Sequence, residues 1–383
     1  MLYVIGGVIG LYAVACLWMC WQWSQIPKRP TALSPLPDDF KVSVVIPVRN
    51  EAAHIGVLLN DLQNQTLPTA HFEVWVMDDA STDETATIVE TFVQANNLNV
   101  QLVSLVNVPV SSPKKRAITE AVRRAKGQLI VTTDGDCRVG EQWLETIVQT
   151  YLETGAKLIS GPVSFLEPST SSIARRAGLI AQTIEFSSLI GTGACLLEAG
   201  HPTMCNGANL AYERAAFEAV EGFEGVSQIA SGDDEFLLQK ISQHFGVNDL
   251  FFLKNEAAIV LTHAQQSWES FYHQRIRWAS KWAVNKRIVT MLVAFWVFLV
   301  NLLTLVLLIE SFHEKVVPIE FCTILILKYL PEFLFLRLII RFLGKKKWVG
   351  YIPIVQLFYP FYVLFFGVAA QRKEYQWKGR KLR

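Results

Sequence analysis

Three acidic pairs stand out as residues that could do chemistry: Asp78-Asp79, Asp134-Gly135-Asp136 and Asp233-Asp234. The second follows directly on an apolar run, Leu129-Ile130-Val131, in the stretch VTTDGDC. Two carboxylates held close repel each other, so a cation is the natural third party. Mg2+ or Mn2+ prefers oxygen ligands and often takes only one or two from protein, the rest coming from phosphate and water. A divalent ion carrying a diphosphate above Asp134 and Asp136 would satisfy the pair. The plainer alternative is a solvated turn, since Asp-Gly is common turn chemistry. Asp233-Asp234 opens a helical pattern, DEFLLQKI, where it could serve as an N-cap, as a general base, or as both. Neighbouring carboxylates of this kind titrate as a pair.

These residues need elements that bring them together. KVSVVIPVRNE begins with a β-branched run and ends at Pro47 and polar residues, the pattern of a buried strand entering a loop. HIGVLLNDLQNQ then has apolar residues at helical spacing. HFEVWVMDDASTDETATIVETFVQ repeats the plan of strand, acidic loop and helix, with Ser81 or Asp83 placed to cap the helix. NVQLVSLV, a helix around Lys115 to Ala125, and QLIVTTDGDC continue it. Strands alternating with helices predict an α/β domain whose mostly parallel sheet is covered on both faces. Ligands of such sheets sit beyond the carboxyl ends of the strands. The loops at 49–51, 78–79 and 134–136 therefore converge on one edge.

The 383 residues are 51% hydrophobic and 18% charged, with a net charge of +1, so bulk charge points to no nucleic-acid partner. The apolar residues concentrate at 1–23 and 288–370. Residues 1–23 carry no charge and have the length a bilayer requires, with Trp18, Trp21 and Trp23 at one end and Lys28 and Arg29 beyond. This reads as a retained anchor with the middle region in the cytoplasm. A Pro- and Ser-rich linker follows at 24–40. Residues 289–309 form a second clear span. In 319–343 the apolar run is interrupted by Lys328, Glu332, Arg337 and Arg341, charges that should face protein or a water-filled cavity. A fourth stretch covers 348–370. If every stretch crosses, the basic tail at 371–383 lands outside, against the positive-inside tendency, so one of the last two should be re-entrant or lie flat. Six scattered cysteines form no metal or disulfide pattern.

Seven stretches in order, VSVVIPVRNE, VMDDASTDET, KKRAI, TTDGDC, NGANLAY, SGDDEFL and QRIRW, resemble those of membrane-bound inverting glycosyltransferases of family 2, of the ceramide glucosyltransferase and polysaccharide synthase type. The resemblance implies the nucleotide-diphosphosugar transferase (GT-A) fold. It also implies a role for each matched residue. Pro47, Arg49 and Glu51 would line base and ribose, and Asp79, with Asp78 beside it, would accept from the uracil N–H. Lys114 would steady the nucleotide together with Asp134, although Pro113 stands where the family has glycine and leaves Lys115 as an alternative. Asp136 would hold the metal, with His263 as a further candidate ligand. Asp234 would be the general base, with Asp233 in place of the usual Glu. Gln274, Arg277 and Trp278 would hold diphosphate or acceptor, the arginine by its planar fork. Asn206 and Asn209 would touch donor sugar or acceptor. His244 and His273 read as structural.

The domains expected are the anchor at 1–23, the linker at 24–40, the transferase domain at 41–265, an interfacial amphipathic helix at 266–287, a membrane region of two to three helices at 288–370, and the tail. Residues 169–198 could guide a lipid acceptor or simply cover the domain. The function implied is transfer of a hexosyl or N-acetylhexosaminyl group, with inversion, from a UDP-sugar to a lipid or lipid-linked acceptor at the cell membrane, the partners being the donor and a lipid or glycan acceptor. The alternatives are a processive polysaccharide synthase and a catalytically silent nucleotide-sugar-binding membrane protein.

Overall fold

The computed structural model describes residues 2–28, 36–106, 111–167, 172–280, 288–311 and 319–369, with 375–377 and 380–382. Residues 29–35 of the expected linker, the last residues of the expected interfacial helix and most of the tail lie outside them.

Seven strands form one sheet in the order β3-β2-β1-β4-β7-β5-β8, where β1 is Val42–Val48, β2 Phe72–Asp78, β3 Val100–Ser104, β4 Leu129–Thr132, β5 Leu158–Ser160, β7 Leu210–Glu213 and β8 Leu250–Phe252. The first four are mutually parallel, and only β7 runs against its neighbours β4 and β5. The sheet is therefore mostly parallel, as expected. β6 (Val163–Phe165) and β9 (Val260–Thr262) form a separate parallel pair.

Alternation along β1 explains the two covered faces. Val42, Val44, Ile46 and Val48 pack under α2 (Ile55–Gln63), α3 (Thr85–Ala95) and α5 (Trp143–Thr154). Val45, with Met77 and Ile130, packs under α4 (Pro113–Arg124) and α8 (Asp233–Phe245). Register then sets the functional edge. Val48 pairs with Asp78 and Val45 with Thr132, so the loops after β1, β2 and β4 leave the sheet side by side. Because β7 is antiparallel and its Leu210 pairs with Thr132, the turn before β7 joins the same edge.

The apolar ends are helices: α1 (Leu2–Gln25), α10 (Ile288–Ser311), α11 (Ile319–Phe342) and α12 (Ile352–Ala369). By length and composition four segments could cross a membrane, within 2–25, 173–198, 288–311 and 346–369. The segment at 173–198 is α6 (Ile173–Glu198), whose apolar window is 67% buried inside the protein. It both covers the sheet domain and walls the cavity described below. α1, α10 and α11 pack through Ile5, Ile9, Val300, Leu307, Phe321 and Ile324. Their outer faces leave Val4, Val14, Phe295 and Ile326 exposed.

Two details refine the expected membrane region. Trp23 is not part of an interfacial belt: it is buried against Phe252 and Phe342, and Lys254 Nζ caps the end of α1 by donating to the carbonyls of Trp23 and Ile26. Trp18 and Trp21 do remain exposed. The charges interrupting α11 include Lys328 and Glu332, a buried pair one helical turn apart. Tyr12 Oη donates to Glu332 at 2.6 Å and Gln356 Nε2 donates to it at 2.9 Å, so this pair faces protein, as an ionisable residue in an apolar bundle should.

α12 has one end against the sheet domain and the other against α9. Ile352 joins the core cluster under β1, together with Trp348. Phe365 and Phe366 lie against Trp268, Phe271 and Tyr272 of α9 (Trp268–Ser280).

Candidate active site

One cavity of about 1350 Å³ opens at the functional edge and continues between α1, α6, α10 and α12. Pro47, Arg49, Glu51 and Asp79 line it from the loops after β1 and β2. Lys114, Asp134, Asp136, Asp233 and Asp234 line it from α4, the loop after β4, and α8. Asn206 and His263 belong to its wall, as do Gln274, Arg277 and Trp278 of α9. Asp78 and Asn209 do not.

At the first two loops, Asp79 is gripped from both sides. Arg116 Nη2 donates to its Oδ1 at 2.6 Å, and Arg49 Nη1 stands 3.8 Å from its Oδ2 while donating to the carbonyl of Ala80 at 2.9 Å. The loops are laced together: Asn50 N–H donates to Ser81 Oγ, Thr82 N–H to Asn50 Oδ1, and Glu51 N–H to Thr85 Oγ1. Asp78 departs from expectation. Its Oδ1 accepts from the N–H and hydroxyl of Ser81, so it closes the turn that presents Asp79. Arg116 escaped the sequence reading although it sits within KKRAI, because only helix geometry shows which of three adjacent basic residues turns toward Asp79.

The lysines separate in the same way. Lys114 Nζ lies 2.7 Å from Asp134 Oδ1 and 3.3 Å from Asp233 Oδ2. Burial works against its charge, but Asp134, then Asp233 and Asp234, outweigh burial and hold its pKa well above the usual lysine value. Lys115 is neither solvated nor in the cavity. It is buried and donates to the carbonyls of Val226, Ile229 and Ser231, anchoring the loop that leads into Asp233.

Gly135 is needed for close packing. A Cβ there would lie 2.7 Å from Val48 Cγ1 and 3.0 Å from Glu51 Cγ, so only glycine lets the two aspartates sit against the end of β1. Gly207 has a similar reason, since a Cβ would come 3.0 Å from Asp233 Oδ2. Its N–H donates to Asp234 Oδ2 at 3.1 Å, while Asp234 Oδ1 accepts from Glu235 N–H at 2.8 Å. Asn206 Oδ1 accepts from Ala208 N–H in the same turn.

Asn209 points away from the cavity. Its Oδ1 accepts from Trp143 Nε1 at 3.0 Å, and its Nδ2 donates to the carbonyls of Pro162 and Ala258 at 2.8 Å each. Its amide joins α5 to the β6–β9 region and has no hydrogen left for a sugar.

The donor set fits a hard divalent ion that takes most of its ligands from elsewhere. Asp134 is paired with Lys114, and Asp136 faces the cavity with Thr262 Oγ1 at 3.4 Å. Among the described residues no three His, Cys, Asp or Glu side chains form a protein-only cage. One or two carboxylate oxygens are what Mg2+ or Mn2+ requires when phosphate and water complete the shell. His263 stacks on His54 at 4.3 Å between ring centroids. Burial, then His54, hold its pKa below the usual value against the pull of Asp136, which favours a neutral imidazole.

On α9, Trp278 lies over the guanidinium of Arg275 at 4.4 Å and against Phe186 at 5.8 Å, so its ring is stacked on protein while it lines the cavity. His273 also lines the cavity rather than packing away from it, and His244 lies tilted against Phe245.

A mostly parallel sheet with acidic loops at its carboxyl edge, and a second acidic pair on a helix facing them, defines a nucleotide-diphosphosugar transferase (GT-A) fold. Residues 43–220, a little under half of the chain, match the family model described as Glycosyl transferase family 2. Glycosyltransferase AglE of Haloferax volcanii is 35% identical over 136 residues, which are 35% of this chain and 43% of that protein. A beta-monoglucosyldiacylglycerol synthase of Nostoc is 28% identical over 110 residues, 29% of this chain and 23% of that one. The chain thus spans less than half the length of these curated relatives. The solved mannosyltransferase PcManGT of Pyrobaculum calidifontis, in complex with GDP-Man and Mn2+, has a TM-score of 0.55 at 18% identity over 97% of this chain and 98% of that one, a likeness of fold.

Proposed function

We propose that this protein is a membrane-bound inverting glycosyltransferase that moves a hexosyl or N-acetylhexosaminyl group from a UDP-sugar to a lipid or lipid-linked acceptor. One observation carries the reading: a single cavity joins Asp79, Asp136 and Asp234 to apolar walls supplied by α1, α6, α10 and α12. A charged donor suits the first end and an acyl or prenyl chain the second. The Nostoc relative named for diacylglycerol is consistent with such an acceptor.

In this reading Asp79, held by Arg49 and Arg116, accepts from the uracil N–H. Lys114 stands by the diphosphate as a fixed positive charge. Asp136, with Asp134 and with His263 as a further candidate, would hold Mg2+ or Mn2+, which when bound neutralises the charge gathering on the departing diphosphate. Arg277 adds a cation on that side. Asp234 takes the remaining task. The N–H groups of Gly207 and Glu235 orient its carboxylate, and it takes the proton of the acceptor hydroxyl as that oxygen attacks the anomeric carbon opposite the diphosphate. Asp233, paired with Lys114, keeps nucleotide and base sites in register.

In this reading α1, α10 and the charge-bearing α11 cross the membrane, while α12, although its segment is long and apolar enough to cross, lies in plane because both its ends dock on the rest of the chain. The sheet domain, the basic segment at 345–347 and the tail then share the cytoplasmic face, which removes the conflict in the positive-inside count. Lys345 and Lys347 pair with Glu167 of the sheet domain, in keeping with this.

The test is direct. Membranes containing the protein are incubated with labelled UDP-glucose, UDP-galactose, UDP-N-acetylglucosamine and GDP-mannose, and label is followed into lipid and polymer fractions. Incorporation of a single sugar from a UDP donor into lipid is expected. A polymer ladder would favour a processive synthase, and no transfer from any donor would overturn the reading.

A further inference from the structure

Arg275 occupies an unspecified position inside Gln-x-x-Arg-Trp, yet it is bound from every side. It is 4% exposed, and its guanidinium lies between Phe271 and Trp278, 4.4 Å from each ring centroid. Nη2 pairs with Glu185 of α6, Nε donates to Tyr362 Oη of α12 at 2.9 Å, and Nη1 donates to Gln274 Oε1 at 2.6 Å. Tyr362 Oη in turn donates to Glu185 Oε1 at 3.0 Å.

We infer that Arg275 is a positioning residue that fixes which end of the Gln274 amide faces the cavity and ties that choice to α6 and α12, two walls of the apolar slot. The inference rests on the transferase reading above. An amide offers an acceptor at one end and donors at the other. With Oε1 held by Arg275, the NH2 is the end left for the cavity that Gln274 lines. A donor there suits a diphosphate oxygen, whereas a flipped amide would set a carbonyl oxygen against an anion. Glu185 and Tyr362, the two residues that hold Arg275, line the same cavity. A molecule filling the slot therefore touches the residues that set Gln274. Lysine cannot replace this arginine, because a single ammonium does not reproduce a fork that serves three partners in one plane.

The experiment is a double-mutant cycle on the full-length protein in nanodiscs, using whichever of UDP-glucose, UDP-galactose, UDP-N-acetylglucosamine and GDP-mannose the wild type turns over. R275K, Q274A and the double variant are compared for kcat, donor KM and Tm. Each single variant is expected to lose roughly tenfold or more in kcat, the size of one hydrogen bond to a charged group. The double variant should lose no more than the worse single. Losses that multiply, or an R275K enzyme with wild-type kcat and KM, would overturn the inference. If R275K does not fold, Y362F takes its place: it should lower kcat in the Gln274 background and leave it unchanged in Q274A. A wild type that uses no donor would instead remove the transferase reading, and this inference with it.

Discussion

Asp136 and Glu332 both line the same cavity, yet their surroundings are opposite. Asp136 has Thr262 Oγ1 at 3.4 Å and Cys137 Sγ at 3.8 Å, and among the described residues it makes no ion pair. Glu332, set among apolar helices, has one oxygen engaged by Lys328 and Tyr12 and the other by Gln356. On the proposed reading, a carboxylate that faces the cavity at a sheet edge serves a bound ligand. A carboxylate whose two oxygens are both engaged by side chains is matched to its own fold. The sheet edge should therefore respond to substitution in activity and the helix bundle in stability.

The largest effect is expected at Asp234. D234N keeps the shape and the hydrogen bond from Gly207 N–H but cannot take a proton. Transfer should fall by on the order of 10²–10⁴-fold, the usual contribution of a positioned base. UDP binding, read by calorimetry, should survive. Turnover that persists unchanged would remove Asp234 from this role. Next comes Asp136. D136N, or excess chelator on the wild type, should cost at least about 100-fold in transfer, since even residues behind metal ligands cost 10–100-fold. Added Mg2+ or Mn2+ should rescue the chelated wild type but not D136N. Undiminished activity in chelator would contradict the metal reading.

On the stability side, E332A should be the most damaging change. It strands Lys328 in an apolar bundle, and breaking one half of a buried pair costs about 3–5 kcal/mol. A loss of folded protein in detergent without a change in donor KM is the expected signature. Asn209 and Asn206 give a finer comparison within one turn. N209A orphans Trp143 Nε1 and two carbonyls, at roughly 1–3 kcal/mol for each group left unsatisfied, and should lower Tm. N206A should leave Tm near wild type and alter transfer. The same Tm loss in both would erase the distinction.

Much of this arrangement was legible in the chain. Strand and helix periodicities located β1, β2, β4 and the acidic loops, because buried parallel strands leave near-continuous apolar runs. What the sequence could not show was direction at single residues. Asp78 and Asp79 are adjacent, as are Lys114, Lys115 and Arg116, and a turn or a helix sends neighbours to different places. Asp78 closes a turn while Asp79 faces the cavity; Lys115 anchors a loop while Lys114 bridges Asp134 and Asp233. Asn209 failed for a related reason: its partners, Trp143, Pro162 and Ala258, come from three distant segments. Arg275 was hidden because a motif records which positions recur and says nothing of contacts to α6 and α12. The in-plane course proposed for α12 likewise rests on where Ile352 and Phe366 dock, which composition cannot report.

The smallest effect is the most demanding test of the comparison. If the Lys328–Glu332 pair serves only the fold, replacing both charges together should be nearly neutral even though removing one is severe. K328M with E332L removes two desolvated charges and fills similar volume with apolar atoms. Such exchanges of buried pairs are often neutral or stabilising by about 1–4 kcal/mol. Tyr12 Oη and Gln356 Nε2 would lose a shared acceptor, which offsets part of that gain. The expected outcome is a Tm within a few degrees of wild type and unchanged kcat, measured on the same preparation. A double variant that folds well but no longer transfers sugar would show that Glu332 acts on what enters the slot, and the division between a reactive sheet edge and a purely structural bundle would have to be abandoned.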